Sequence, residues 1–394
     1  MEKILQIRLK AGREKRALGG HPWIFAGETE PVPAASIQPG DLIDLVTASG
    51  RPLGRGMINP NSQILIRLLD RGAPPIDEGF FAQRLRRALE YRRRIGYQPS
   101  CTRVVSSEAD GLPGLIVDRY EDCLVMQALT QGMHRRLAMI QSALADVLQP
   151  RAIYLKNDSP ILEREGLPLE KRVLAGPWPE PWEFELDDLR LSLDIETVQK
   201  TGLFLDQTVN RRRLAGSIAG KSVLDVFCYV GLWSLSAARA GASRVLGIDS
   251  SAEAVARAAE HAKRNRLSNP CRFERRVAFD ALESLAAGSE RFDAVILDPP
   301  AFVKSKTKLK PALRGYEKLN RLGLEVLARP GLLVTSSCSY QVSNEAFLDA
   351  VRRAAQKTGR EARLLHFFTQ APDHPVLLQV PETQYLKCAY LWVE

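Results

Sequence analysis

Two short stretches hold residues whose types and spacing could do chemistry. In the first, an apolar strand pattern at 294–297 ends on Asp298, which is followed by Pro299, Pro300, Ala301 and Phe302. The two prolines stiffen the chain beyond the strand. A carboxylate held on such a rigid loop suits recognition of a nucleobase edge. In the second, the strand pattern at 332–335 runs into Ser336, Ser337, Cys338 and Ser339. A cysteine beside a strand is by default an inert small hydrophobe. Here the polar flanks argue against a purely apolar niche, and a place on the same strand edge as Asp298 suits a nucleophile. A thiol and a carboxylic acid together specify a reaction. Carbon 5 of cytosine is too weak a nucleophile to take a methyl group directly, whereas a thiolate adding to carbon 6 makes an enamine whose carbon 5 can attack. A protonated Asp298 would stabilise charge at ring nitrogen 3 and the exocyclic amine, which at neutral pH requires the raised pKa of a desolvated pocket. A base must then remove the carbon-5 proton, and the residues do not name it.

A third stretch reads as a cofactor turn. The strand at 223–227 carries Asp225 and Phe227, runs through Cys228, Tyr229 and Val230 to Gly231, and is followed by a helix from about Leu232. A second strand, 245–248, ends on Asp249, followed by Ser250. In a doubly wound sheet, ligands bind beyond the carboxyl ends of the strands, where Asp249 can accept from both hydroxyls of a ribose. The dinucleotide fingerprint G-x-G-x-x-G is absent, as is a P-loop. One glycine and an acid suit a cofactor without pyrophosphate, and S-adenosylmethionine fits, with Asp225 and a tight backbone at its amino-acid end. The competing reading is a plain strand–helix unit with Asp249 as a helix cap.

The elements that must position these residues follow from the patterning. The chain has 394 residues, 45% hydrophobic and 26% charged, which excludes a mainly disordered chain and a polytopic membrane protein. Short strands with Gly and Pro punctuation over residues 1–73 suggest a small β-barrel or sandwich. An Arg-rich helix over 80–97 opens a central α/β block, 74–185, with strands at 115–117, 123–129 and 152–154 and a helix at 133–148. The Pro/Trp-rich stretch 176–182 reads as a connection or exposed turn. From 186 to 394, strands and helices alternate, as in a parallel sheet covered by helices. Six dispersed cysteines without a C-x-x-C pair argue against a disulfide framework or a zinc site and for a reducing, cytoplasmic compartment. No secretory signal or membrane span is visible. The 55 Lys and Arg against 46 Asp and Glu leave a formal charge of +9, an excess that favours a polyanionic partner.

The chain resembles the bacterial 23S rRNA 5-methylcytosine methyltransferases, built as an N-terminal PUA domain, a small central α/β domain and a Rossmann-like class I methyltransferase domain. The resemblance rests on residues 10–15 with His21-Pro22-Trp23-Ile24-Phe25, residues 107–115, residues 200–207, Asp298 to Phe302, Ser337-Cys338-Ser339 and Asp373-His374-Pro375. It implies S-adenosylmethionine as cofactor and 23S rRNA as partner, and it allows a homodimer. It places Phe204, Asp206 and Gln207 near the cofactor, beside Asp225, Phe227, Tyr229, Gly231, Asp249, Ser250, Asp280, Asp298 and Pro299, and makes Cys338 the nucleophile. Lys10, Arg13, Lys15, His21 and Trp23 would lie on or near the RNA face, where cations meet phosphates and an aromatic can stack. His21 and Trp23 read equally well as core residues. The Arg-rich helix and Lys304, Lys306, Lys308 and Lys310 would extend a basic track. Two positions depart from the family pattern. Val277 stands where an acid usually precedes Ala278 and Phe279, with Asp280 nearby, and Leu232 stands where a second glycine is common.

Three other readings remain open at the level of sequence. An RNA guanine methyltransferase with a similar loop would not need Cys338. An RNA-binding assembly factor would need neither Cys338 nor Asp298. A 5-methyluridine enzyme would also use a cysteine.

Overall fold

The computed structural model describes residues 4–32, 37–303 and 309–394. The chain divides into two compact units, and each draws on several segments. The first comprises Met1–Glu185 with Leu193–Leu205 and Pro372–Thr383, and the second Leu186–Ser192, Asp206–Ala371 and Gln384–Glu394.

The first unit holds two five-stranded sheets. The N-terminal sheet is built from Leu5–Arg8, Trp23–Ile24, Leu42–Val46, Pro52–Ile58 and Ile66–Asp70. It closes over Ile7, Leu9, Ile43, Leu45, Ile58 and Ile66, all buried. The seven-residue strand Pro52–Ile58 carries no strand signal in the sequence, because it starts on proline and contains two glycines. The second sheet uses Cys101–Ser106, Leu115–Tyr120, Cys123–Ala128, Ala152–Asn157 and Glu170–Ala175. It is covered by the helices Glu78–Arg94 and Leu137–Leu148, the former capped by Asp77, whose side chain accepts from Phe80 N–H at 2.9 Å.

Two expectations are corrected here. The stretch 176–182 is not simply exposed: Trp182 is 2% accessible, 4.9 Å from the Tyr120 ring and 5.0 Å from Trp178. Nor does the Arg-rich helix present a uniform basic face. Arg92 is buried, paired with Asp110 at 2.9 Å, and donates to the carbonyls of Arg103 and Asp373. Arg84 pairs with Asp70, and Arg93 and Arg94 pair with Glu90.

The two segments borrowed from later in the chain are tied down by buried polar contacts. Asp373 accepts from Thr102 Oγ1 at 3.0 Å and from the Arg103 N–H at 2.8 Å. The Leu203 N–H donates to Tyr120 Oη at 2.9 Å. A polar group taken from water this completely must find such partners or cost free energy.

The second unit is built on a seven-stranded sheet. Its strands are β1 (Ser222–Val226), β2 (Arg244–Asp249), β3 (Cys271–Arg275), β4 (Phe292–Leu297), β5 (Leu327–Ser337), β6 (Ala362–Phe368) and β7 (Lys387–Val393), in the order β3-β2-β1-β4-β5-β7-β6. The sheet is not wholly parallel as the alternation suggested, since β7 runs antiparallel to both β5 and β6. The inner strands are continuous apolar runs, as required when both faces are covered. Leu224, Val226, Val295, Leu297 and Leu333 pack with Tyr316 and Phe347 from the flanking helices. Each such side chain contributes roughly 1.5–3 kcal/mol when fully buried. The helices that matter for the site are Leu232–Arg239, which leaves β1, and Leu309–Val326, which leads into β5.

Candidate active site

Register puts the two chemical stretches on one edge of the sheet. Leu297 of β4 pairs with Val226 of β1 and with Thr335 of β5, so these three strands end nearly level. Asp298 and Cys338 therefore emerge on the same carboxyl edge. Cys338 is half-buried, and its Sγ lies 3.8 Å from the Pro299 carbonyl oxygen. The other five cysteines are buried.

The loop beyond β4 is fixed by an aromatic stack, with the Phe302 ring 4.6 Å from that of Tyr316. Tyr316 also braces the cysteine loop. Its hydroxyl accepts from Ser337 Oγ at 2.9 Å and lies 2.9 Å from Ser339 Oγ. The serines flanking Cys338 thus serve as anchors, which is why a polar run is compatible with a buried strand end.

Asp298 is held by one donor on each oxygen. Gln207 Nε2 donates to Oδ1 at 3.0 Å, and Trp233 Nε1 donates to Oδ2 at 2.9 Å. Gln207 is itself oriented, because its Oε1 accepts from Asn210 at 2.7 Å and its amide also reaches Ser336 Oγ at 3.2 Å. An indole N–H can only donate, so both oxygens are acceptors and lone pairs remain for a ligand. Burial raises the carboxyl to about 6; Asp206 pushes the same way, while the Trp233 and Gln207 donors oppose it. A value in that range is compatible with general acid–base work near neutral pH.

The sequence did not single out Trp233. Its signal was its place on the second residue of a helix that starts at the same sheet edge.

The turn after β1 is tightly wound. Phe227, Tyr229 and Gly231 all have positive φ, +70°, +50° and +87°. Such backbone is costly for the two aromatics and marks a constrained site. At Gly231 a Cβ would lie 3.0 Å from Ala258 Cβ and 3.2 Å from the Phe273 ring, so no larger residue fits without displacement.

Asp249, at the end of β2, accepts from the Tyr229 N–H and the Ser251 N–H, both at 2.9 Å. It therefore shapes the turn and keeps free lone pairs; the capping of the following helix falls instead to Ser251, which accepts from Ala254 N–H at 3.2 Å. Asp225 is fully buried. Its Oδ2 takes the Ser234 N–H at 3.0 Å and the Ser234 hydroxyl at 2.6 Å, and its Oδ1 has no partner. Burial raises it to about 7, with the Ser234 hydroxyl opposing and Asp298 adding repulsion. An orphaned buried carboxylate oxygen, a constrained turn and a ribose-ready acid on the next strand fit S-adenosylmethionine, whose sulfonium and α-ammonium are cationic and whose ribose offers two hydroxyl donors.

The remaining predicted cofactor residues are more dispersed. Asp206 is buried, accepts from Tyr385 Oη at 2.7 Å and leaves Oδ1 without a partner. Ser250 and Asp280 are exposed, and Pro299 is buried. Asp280 stands in the first turn of the helix Ala278–Ala287, whose N-cap is the exposed Val277. Phe204 belongs to the first unit, with Lys200 Nζ 5.1 Å from its ring centre.

Of the residues expected on the RNA face, Lys10, Arg13 and Lys15 are exposed. His21 is corrected: it is buried, its Nε2 lies 3.1 Å from Glu382, and its Nδ1 accepts from the Trp23 N–H. Trp23 is half-buried, with its indole N–H on Glu108 at 2.8 Å. Both rings serve the packing of the first unit. Lys304, Lys306 and Lys308 lie outside the described residues; Lys310 is exposed in the first turn of its helix.

Comparison with known proteins bears out the fold and the cofactor. Residues 7–71 match a PUA-like domain family, and residues 168–391 match the S-adenosylmethionine-dependent methyltransferase family. A Streptococcus mutans structure assigned to S-adenosylmethionine-dependent methyltransferases superposes with a TM-score of 0.84 over 99% of this chain and 100% of its own, at 21% identity. A methyltransferase structure complexed with S-adenosylhomocysteine superposes with a TM-score of 0.85 over 99% of this chain and 100% of its own, at 20% identity. Fold and site thus define a class I methyltransferase that carries a PUA-like domain and uses S-adenosylmethionine.

Among relatives, a Pseudoalteromonas atlantica protein is 36% identical over 97% of this chain and 98% of its own length. An Escherichia coli O157:H7 protein is 34% identical over the same shares. Both bear the name ribosomal RNA large subunit methyltransferase I, and the chain belongs to that family.

Proposed function

We propose that the protein methylates carbon 5 of a cytosine in 23S ribosomal RNA, in the cytoplasm, through a covalent adduct with Cys338. The observation that carries this reading is the pairing, on one sheet edge, of a half-buried thiol against the Pro299 carbonyl with a carboxyl clamped by Gln207 and Trp233. Methylation at a guanine nitrogen needs no nucleophile of this kind, and the braced serine loop would then have no chemical purpose.

Asp225, Asp249 and the 227–231 turn would hold S-adenosylmethionine, which when bound supplies an electrophilic methyl group. The chain's own residues prepare the acceptor. The Cys338 thiolate adds to carbon 6, forming the S–C bond and moving electron density to carbon 5. Asp298, titrating near neutrality, gives a proton to ring nitrogen 3 and accepts from the exocyclic amine, neutralising the charge that develops there. Once carbon 5 carries the methyl group, loss of its proton to solvent expels the thiolate from carbon 6, nitrogen 3 returns its proton to Asp298, and the aromatic ring is restored. Lys10, Arg13 and Lys15 would meet phosphates, giving affinity without sequence choice.

The test is methyl transfer from labelled cofactor to unmodified 23S rRNA, followed by digestion to nucleosides and mass spectrometry. Labelled 5-methylcytidine is expected from the native protein, and a loss of at least ~10³-fold from Cys338→Ala and Asp298→Asn, with cofactor affinity within a few-fold. Labelled methylguanosine that survives Cys338→Ala would overturn the reading. Labelled 5-methyluridine would keep the nucleophile and change the base. No label despite cofactor binding would favour a purely RNA-binding role.

A further inference from the structure

Lys387 has no task in the covalent route described above, yet its position is chemically unusual. It opens β7 and is 2% accessible. A lysine so deeply buried is ordinarily paired with a carboxylate. Here Nζ donates to the carbonyl oxygens of Ser339 at 2.7 Å and Tyr385 at 2.9 Å, and among the described residues no carboxylate pairs with it. Two carbonyl dipoles satisfy N–H groups without supplying a full opposite charge.

Lys387 is also tied to both sides of Cys338. It pairs in register with Ser337 across β5 and β7, and its ammonium holds the carbonyl of Ser339. Burial draws the ammonium down to about 8, and Cys338 acts in the opposite sense, as an anionic neighbour would.

The titratable groups around this corner come from every packed element. Tyr316 reaches in from the helix before β5 and bonds both serines. Asp298 precedes the Pro299 carbonyl that the thiol touches. Tyr385 lies two residues before β7, and the buried Cys388 follows Lys387 on that strand. Of these neighbours, Asp298, Tyr316, Tyr385 and Cys388 ionise to anions and disfavour a thiolate; Lys387 favours it.

We propose that Lys387 is the counter-cation of the Cys338 thiolate, a positioning residue that sets the ionisation of the nucleophile. The proposal rests on the reading of Cys338 as the nucleophile. Cys338 Sγ–H loses its proton to water, leaving a thiolate beside the ammonium. The sulfur lone pair then forms the bond to carbon 6, and Lys387 keeps its proton throughout. Without the ammonium, the thiol stays protonated at neutral pH and addition slows in proportion to the lost thiolate.

The experiment reads the thiol directly and needs no RNA. Five of the six cysteines are buried, so the rate of iodoacetamide labelling at Cys338, followed by peptide mass spectrometry across pH 5–10, gives the thiolate titration. In the native protein the midpoint is expected at least one unit below the ~8.5 of an ordinary thiol. In Lys387→Met the midpoint should rise by one unit or more, with labelling at pH 7 about tenfold slower. Lys387→Arg, which keeps the charge, should stay near the native midpoint; a merely structural lysine would not produce that split.

A native midpoint at or above that of an ordinary thiol would overturn the proposal, and so would an unchanged midpoint in Lys387→Met. If Lys387→Met does not fold, the native and Lys387→Arg midpoints still decide. Failure of the underlying reading shows separately, as methyl transfer that survives Cys338→Ala.

Discussion

Asp225 and Asp298 are neighbouring carboxyl groups, both pushed up by burial, yet their surroundings assign them different work. Asp298 has a donor on each oxygen at the carboxyl edge of the sheet, which under the proposed function leaves it to meet the base. Trp233→Phe removes the indole donor that opposes burial. The Asp298 value should therefore rise above about 6, and the pH limb that it sets in methyl transfer should move to higher pH by up to ~1 unit, at nearly unchanged cofactor affinity. A limb that stays in place would show that another group sets it. Asp225 lies beneath the helix start with its Oδ1 unpaired, and in the cofactor-free protein its effect falls on stability. Its folded value, about 7, lies above that of an unfolded aspartate. The stability it contributes is therefore complete below pH ~4 and lost as pH rises through 7. Asp225→Asn keeps an acceptor for Ser234 but cannot ionise. In thermal melts without cofactor, the native protein should lose several degrees between pH 5.5 and 8.5, and the variant should lose clearly less.

At the scale of the element, the turn from β1 into its helix concentrates the constraint. Three of its residues sit in left-handed backbone, and a methyl group at Gly231 would press on Ala258 and Phe273 at 3.0–3.2 Å, so those side chains would have to give way by a few tenths of an ångström. Gly231→Ala combines a disfavoured φ with a steric clash, and urea unfolding should show a loss of ~1–3 kcal/mol together with weaker cofactor binding. Unchanged cofactor affinity at that cost in stability would detach the turn from cofactor binding. The braced loop after β5 illustrates the same principle with side chains. Tyr316, Ser337 and Ser339 use hydroxyls to fix Cys338 between them, whereas the sequence offered only a polar run.

At the scale of the whole molecule, the formal charge of +9 is not spread over the surface uniformly. Much of the arginine in the helix Glu78–Arg94 is neutralised by Asp70, Glu90 and Asp110, so that helix contributes to folding more than to a basic track. The exposed Lys10, Arg13 and Lys15 keep their charge outward. If each meets one phosphate, replacing all three with alanine should flatten the dependence of log K on log salt by about 2–3. Binding to rRNA fragments at several salt concentrations measures this; an unchanged slope would move the RNA face elsewhere.

The residues proposed to carry the chemistry were legible in the sequence alone, because their signals are local. A strand ending on Asp298 before two prolines, a thiol beyond the next strand and an acid at the end of β2 are legible wherever strand ends coincide with polar residues. The parallel core strands were equally legible as apolar runs. Edge and antiparallel strands were not: Cys271–Arg275 is mostly charged, and Ala362–Phe368 leaves its middle residues exposed, so neither shows a buried pattern. Only tertiary structure decided which partner each functional group has. Trp233 and Gln207 converge on Asp298 because register levels three strand ends, Lys387 reaches the Ser339 carbonyl next to Cys338 because β7 inserts antiparallel beside β5, and His21 is buried because Glu382, 361 residues later, returns to the first unit. Contacts of such sequence separation leave no trace in local pattern, since they are fixed by topology and packing and not by the residues adjacent in the chain.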